Sequence, residues 1–218
     1  MAKLHLVIAN KNYSSWSLRP WIAMTMAGLP FDESMILLDT PVMKKQIAEH
    51  SGAGRLPVLH NGKITVWETL AILEYLAETF PEKNLWPKSK AARAVARAIS
   101  NEMHAGFSSL RNACPMNLRR PHKPVALNDA TKADIARIEE IWRECRKTHG
   151  KGGKFLFGKF CNADAMFAPV VTRFETYAIP VAKDTKAYMD AVMATKAFQS
   201  WKAAALKETW IVPHDEVD

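Results

Sequence analysis

Between Asn10 and Trp21 the chain reads NKNYSSWSLRPW, which places Tyr13, Ser14, Ser15 and Ser17 side by side in sequence. They lie where an apolar strand pattern (LHLVIA) gives way to an apolar helix pattern (SLRPWIAMTMAG). A packed core has no use for so many hydroxyls, and an N-cap needs only one. Such a junction is able to hold out a hydroxyl for chemistry, and the first question is which hydroxyl and on what. A second polar pair, Glu68 and Thr69, opens the helical pattern ETLAILEYLAETF. Read alone, that pair serves equally well as a cap or as a corner that holds a charged ligand.

The elements that must position these groups change character once. Up to about Lys83, short apolar runs alternate with helical pattern. LHLVIA and FDESMILL read as strands, and PVMKKQIAEH reads as a short helix with Pro41 at its first position. LPVLHNGKITVWE carries two more strands, joined at His60-Asn61-Gly62-Lys63, where Asn-Gly is a strong two-residue hairpin signal. Ser17 is expected at the cap or first turn of the first helix, with Pro20 still inside that turn. Strand signals nearly vanish beyond PEKNLWPKSK (residues 81–90), and helical patterns cover 91–111, 129–149, 163–177, 185–194 and 197–206. The expected organisation is an α/β domain over residues 1–83, in the order β-α-β-α-β-β-α, followed by an all-α domain over 84–218.

Composition bounds the function classes. The 48% hydrophobic and 24% charged content over 218 residues is that of a soluble globular protein. No run approaches the ~18 apolar residues of a membrane span, and the N-terminus reads as a buried strand rather than a signal peptide. Cys114, Cys145 and Cys161 show no metal-ligand spacing and read as free thiols in a reducing, cytoplasmic setting without a metal. The formal charge of +8 is spread along the chain, with NLRRPHKP and KTHGKGGK as its dense patches. That distribution suits a surface attracting small anions better than a nucleic-acid face, and no membrane partner is expected.

Three local patterns carry a family resemblance that covers nearly the whole chain. SSWSLR (residues 14–19) resembles the serine motif of zeta- and tau-class glutathione transferases, which read Ser-Ser-Cys-Ser-x-Arg or Ser-Pro-Phe-x-x-Arg. GRLPVL (54–59) resembles the family's cis-proline segment, and ETLAILEYL (68–76) its Glu-Ser-x-Ala-Ile motif. The chain therefore resembles a cytosolic glutathione transferase, with a thioredoxin-like domain before a helical one. The resemblance implies a detoxifying enzyme with glutathione as co-substrate and a small hydrophobic electrophile as second substrate.

It also implies roles. Ser14 falls on the catalytic serine, with Ser15 beside it and Tyr13 as the rival hydroxyl. A thiol of pKa ~8.5 is only a few per cent thiolate at pH 7, so a donor to the sulfur is the catalytic need. Leu56, before a cis Pro57, would pair with the cysteinyl backbone. Glu68 and Thr69 would hold the γ-glutamyl end, the Thr69 hydroxyl included, and Arg55 the glycyl carboxylate. Trp16 stands where zeta enzymes carry cysteine, which excludes a cysteine-nucleophile mechanism and leaves conjugation, peroxide reduction and maleylacetoacetate-type isomerisation open. A non-catalytic binding module is the competing reading.

Further positions are read less directly. Asn162 is expected to replace Cys161 as a helix cap, next to Asp164. Arg173 faces either a substrate cleft or a surface ion pair, and His104 reads as a core or interhelical histidine. The tail from Trp210 either folds back over a cleft or hangs free. The resemblance implies a homodimer, with Arg93 and Arg97 reaching Glu74 or Glu78 of a partner.

Overall fold

The computed structural model describes residues 3–217. Four strands form one sheet: β1 (Leu4–Ala9), β2 (Phe31–Ile36), β3 (Val58–Asn61) and β4 (Ile64–Trp67). Their order is β2-β1-β3-β4, with β2 parallel to β1 and the other pairs antiparallel. Between them run α1 (Ser15–Met26) and α2 (Met43–Ala48), and α3 (Thr69–Thr79) follows β4. The expected β-α-β-α-β-β-α order is present.

The strand period of two sorts β1 onto two faces. Leu4, Leu6 and Ile8 join the main core with α1 and α3, whereas Val7 packs with Ile36, Ile47 and Val58 beneath α2. Local boundaries differ from the sequence reading in small ways. Pro41 lies in the turn before α2 rather than at its first position. The hairpin pairs Asn61 with Ile64, so Gly62 and Lys63 form its tip, and Gly62 takes φ of +61°.

Six helices complete the described chain: α4 (Lys90–Ala105), α5 (Ser108–Ala113), α6 (Asp129–His149), α7 (Asn162–Thr176), α8 (Lys183–Met193) and α9 (Lys196–Ala205). The single helix expected over 91–111 is broken. Gly106 ends α4 where a Cβ would meet the Glu102 carbonyl at 2.8 Å, and Phe107 takes φ of +56° before α5. Helix α7 runs through the centre, buried along nearly its whole length, and packs on both α1 and α4. One continuous apolar cluster therefore joins the sheet-bearing half to the helical half.

Cys161, not Asn162, precedes α7. Cys161 and Asp164 form a capping box: the Cys161 side chain faces the Asp164 N–H, and the Asp164 carboxylate accepts the Cys161 N–H at 2.9 Å and also the Leu156 N–H at 3.0 Å. Asn162 instead donates to the Leu73 carbonyl at 3.1 Å, tying α7 to α3. Burial pushes the Asp164 carboxyl up to about 6. The three cysteines are free and buried. Burial pushes Cys114 up to about 11 and Cys145 up to about 12, and Cys161 goes up as well.

The ion pairs expected across a two-fold axis are also rearranged. Arg97 forms a two-pronged bond to Glu74 of its own chain, both contacts at 2.8 Å. Arg93 donates to the carbonyls of Pro87 and Lys88.

Candidate active site

A cleft of about 450 Å³ opens where the N-terminus of α1 meets α5 and α7, lined in part by Ser14, Ser15, Leu56, Arg111 and Arg173. A second lobe of about 290 Å³ shares Trp16, Arg55, Leu56 and Arg111 with it and adds Glu68, Thr69 and His104. Six of the seven residues singled out from sequence therefore line one connected space. The seventh, Pro57, lies buried behind Leu56, and the bond between them is cis, as expected.

Ser14 is the N-cap of α1: its Oγ accepts the Ser17 N–H at 3.3 Å and lies 2.8 Å from Ser17 Oγ as a hydrogen-bonded pair. Ser17 is fully buried and its Oγ accepts the Ala9 N–H at 3.0 Å. The Ser14–Ser17 pair is thus anchored to the end of β1. Ser15 is the first helical residue, and among the described residues its hydroxyl makes no hydrogen bond. Pro20 falls at the sixth helical position, beyond the first turn expected for it.

The rival hydroxyl is otherwise engaged. Tyr13 Oη donates to the Glu216 carboxylate and accepts from Arg119 Nη2 at 2.7 Å. Burial raises its pKa, with the Glu216 hydrogen bond adding to the rise. Tyr13 lines the cleft beside the serines, but its proton is already given to Glu216.

At the second lobe, Glu68 takes φ of +66°, a conformation uncommon outside glycine and found at sites that the surrounding structure must hold in place. Its carboxylate accepts from exposed Arg55 at 3.5 Å, a long contact worth little by itself. Thr69 differs from expectation. It is 1% exposed and its hydroxyl donates to the Trp16 carbonyl at 2.9 Å, so the donor left at this position is its backbone N–H at the start of α3.

The base of the cleft is the feature that sequence reading largely missed. Arg173 is neither in a surface ion pair nor exposed. It is buried, its Nε donates to the Cys114 carbonyl at 2.8 Å, and burial together with Arg111 pushes it down to about 10. Arg19 is fully buried beside it, donating to the carbonyls of Met166 and Ser15. Burial and the two neighbouring arginines hold its pKa well below the usual range. None of the three makes a salt bridge among the described residues. Trp16 spans two of them, its ring 4.3 Å from the Arg19 guanidinium and 5.5 Å from that of Arg111. His104 packs edge-on to the same ring at 5.2 Å and lines the second lobe, rather than serving only the core. Arg111 and Arg173 line the first cavity, Arg19 lies buried behind them, and Asp215 is the one carboxylate lining that cavity among the described residues, so its charge balance favours anions.

Comparison with known proteins agrees with this geometry. The family model for the glutathione S-transferase N-terminal domain matches residues 13–79. Mouse (Mus musculus) maleylacetoacetate isomerase is 32% identical over 173 residues, covering 78% of each chain. The chain belongs to the glutathione transferase family. Rat (Rattus norvegicus) maleylacetoacetate isomerase, 28% identical over 192 residues, covers 85% of this chain and is itself covered to 87%. Among solved structures, a Burkholderia glutathione transferase homologue with bound glutathione superposes with a TM-score of 0.70 at 20% identity, over 93% of this chain and 98% of that one. The tau-class enzyme from mango (Mangifera indica) gives 0.69 at 16% identity, over 94% and 96%. These two establish the shared fold, a thioredoxin-like domain followed by helices.

Proposed function

We propose that the chain is a glutathione-dependent enzyme that stabilises the glutathione thiolate with the Ser14 hydroxyl and presents it to a small anionic electrophile. The observation that carries this reading is the cleft itself, with serine hydroxyls at the N-terminus of α1 on one side and Arg111 and Arg173 on the other. Glutathione would lie along Leu56, pairing as an added strand does. Its γ-glutamyl carboxylate would meet the N–H groups at the start of α3, with Glu68 near the ammonium and Arg55 near the glycyl end.

Ser17 gives the serine pair its chemistry. Ser17 Oγ already accepts from Ala9 and keeps one proton. When a thiolate arrives, Ser14 can turn its proton to the sulfur while Ser17 donates to Ser14 Oγ in its place. Helix α1 adds its N-terminal dipole to the same charge. Together these lower the thiol pKa, each unit being worth about 1.4 kcal/mol.

Two reactions fit a thiolate in this cleft. In conjugation the sulfur displaces a leaving group or adds to an acceptor, and glutathione is consumed. In isomerisation the thiolate adds to an activated double bond, the former double bond rotates, and elimination returns the thiolate unchanged. The unpaired arginines favour the second for a substrate bearing carboxylates, as do relatives named maleylacetoacetate isomerase. The family resemblance together with the exposed strip Ala91, Ala94, Val95 and Ala98 on α4 supports a homodimer. Three free thiols suit a reducing compartment.

The test has two stages. The protein should be retained on immobilised glutathione and released by free glutathione; a chain that flows through loses the whole reading. Rates are then measured with an aryl halide, a peroxide and maleylacetone. Turnover of maleylacetone at constant glutathione concentration supports isomerisation, whereas stoichiometric loss of glutathione with the aryl halide supports conjugation.

A further inference from the structure

The segment 208–217 is built into the cleft. Arg119 donates to the Tyr13 hydroxyl, to the Trp210 carbonyl at 2.7 Å and to the Glu208 carbonyl. The Glu208 carboxylate accepts the N–H groups of Lys11 and Asn12 at 2.6 and 3.0 Å. Trp210 Nε1 donates to the Leu38 carbonyl at 2.8 Å, and Arg120 Nε to the Val217 carbonyl at 2.8 Å. Chain ends without such ties are ordinarily frayed; residues 208–217 are strapped to the loops after β1 and β2 and to the segment after α5.

The strap delivers His214 and Asp215 to the cavity that holds Ser14 and Arg173. Asp215 is the one acidic side chain lining that cavity among the described residues, and its side chain is 21% exposed. His214 Nδ1 sits 3.1 Å from Asp39 on the rim. Burial pushes the Asp215 carboxyl up, while His214 and Arg173 pull it down and Asp39 and Glu216 add to the rise. A carboxylate tethered inside an otherwise cationic cleft opposes any anion that enters.

We propose that the strap is the specificity wall of the cleft: Asp215 limits the affinity for anionic ligands by offsetting Arg173, and Tyr13 and Arg119 are positioning residues that hold it there. This rests on the proposed function only for the charge of the ligand. Tyr13, which the sequence offered as a rival for the sulfur, acquires a different task as the latch of the strap.

The experiment needs neither glutathione nor turnover. The full chain, Asp215→Asn and Arg173→Gln are titrated with 1-anilinonaphthalene-8-sulfonate and with its uncharged parent, N-phenyl-1-naphthylamine. Asp215→Asn should bind the sulfonate roughly two- to fivefold tighter, the range for one partly exposed charge, with the uncharged dye unchanged. Arg173→Gln should bind the sulfonate more weakly. A charge preference unmoved by either substitution, or an equal shift for both dyes, overturns the proposal. Hydrogen exchange reads the strap directly: amides of residues 208–217 should be protected in the full chain and lose protection in Arg119→Gln and in Tyr13→Phe. Free exchange of those amides in the unaltered chain overturns the strap, whatever reaction the enzyme performs.

Discussion

The Thr69 hydroxyl donates to the Trp16 carbonyl at 2.9 Å, and that carbonyl is the one that Pro20, having no N–H, leaves without its helical partner. A residue at the start of α3 thereby repairs a gap in α1 and fixes the distance between the two lobes of the cleft. Thr69→Val keeps shape and backbone but strands the Trp16 carbonyl, so it should lower stability by about 1–3 kcal/mol. Pro20→Ala restores an N–H for the same carbonyl and should recover part of that loss. Urea midpoints of the two single variants and the double variant measure the coupling; strict additivity would show that Thr69 and Pro20 are not linked through that carbonyl.

Ser14→Ala should raise the pKa of bound glutathione by about one to two units, since a hydrogen bond to a charged group is worth about 1.5–3 kcal/mol. Ser17→Ala should move it in the same direction by less, because Ser14 then loses the donor that replaces its own proton. Tyr13→Phe should not raise it. Thiolate absorbance of the binary complex against pH separates the three, and a shift confined to Ser15→Ala would transfer the role to that neighbour.

Arg173→Gln should raise KM for a carboxylate-bearing electrophile roughly tenfold or more, given a lost charge-assisted contact. Rates with an uncharged aryl halide should change far less. Equal losses with both substrates would mean that Arg173 supports the fold of the cleft rather than its ligand.

Asp164 supplies a pH dependence with a definite sign. Its carboxyl is raised to about 6 in the folded chain by burial, against ~3.9 unfolded. Between those values the folded state keeps a proton that the unfolded state has released. The contribution of this group is therefore fully present below pH ~4, is lost as pH rises through about 6, and is constant above. The stability difference between the full chain and Asp164→Asn, followed from pH 4 to 8, should fall over that window. A difference that grew with pH would overturn the assignment.

Val95 is 36% exposed among small side chains on α4. If that strip meets its copy across a two-fold axis, sedimentation gives twice 24.5 kDa, and Val95→Glu returns the mass toward that of one chain. Full-length protein sedimenting as a single chain at micromolar concentration removes the dimer.

Much of the fold was legible because strand and helix periods are strong in this chain: β1 and α6 match the sequence reading residue for residue. The break at Gly106 was not, since one glycine in a helical pattern is usually tolerated. At the site, Ser14, Leu56 and Glu68 were found through local motifs. Arg111 and Asp215 were not assigned to it, because each reaches the cleft from a distant part of the chain and its neighbours in sequence carry no periodic or motif signal. Thr69 lines the second lobe, but its hydroxyl is bound to the Trp16 carbonyl, 53 residues away in sequence, and nothing local to Thr69 shows that Pro20 leaves that carbonyl in need of a donor.

With tryptophan at position 16 and every cysteine buried, the chain offers an electrophile no competing thiol of its own. Cys114 and Cys145 stay protonated up to about 11 and about 12, and Cys161 is likewise held in its thiol form. Alkylation requires thiolate and access, and the folded chain withholds both. A reactive electrophile therefore meets no accessible cysteine thiolate on the folded chain among the described residues.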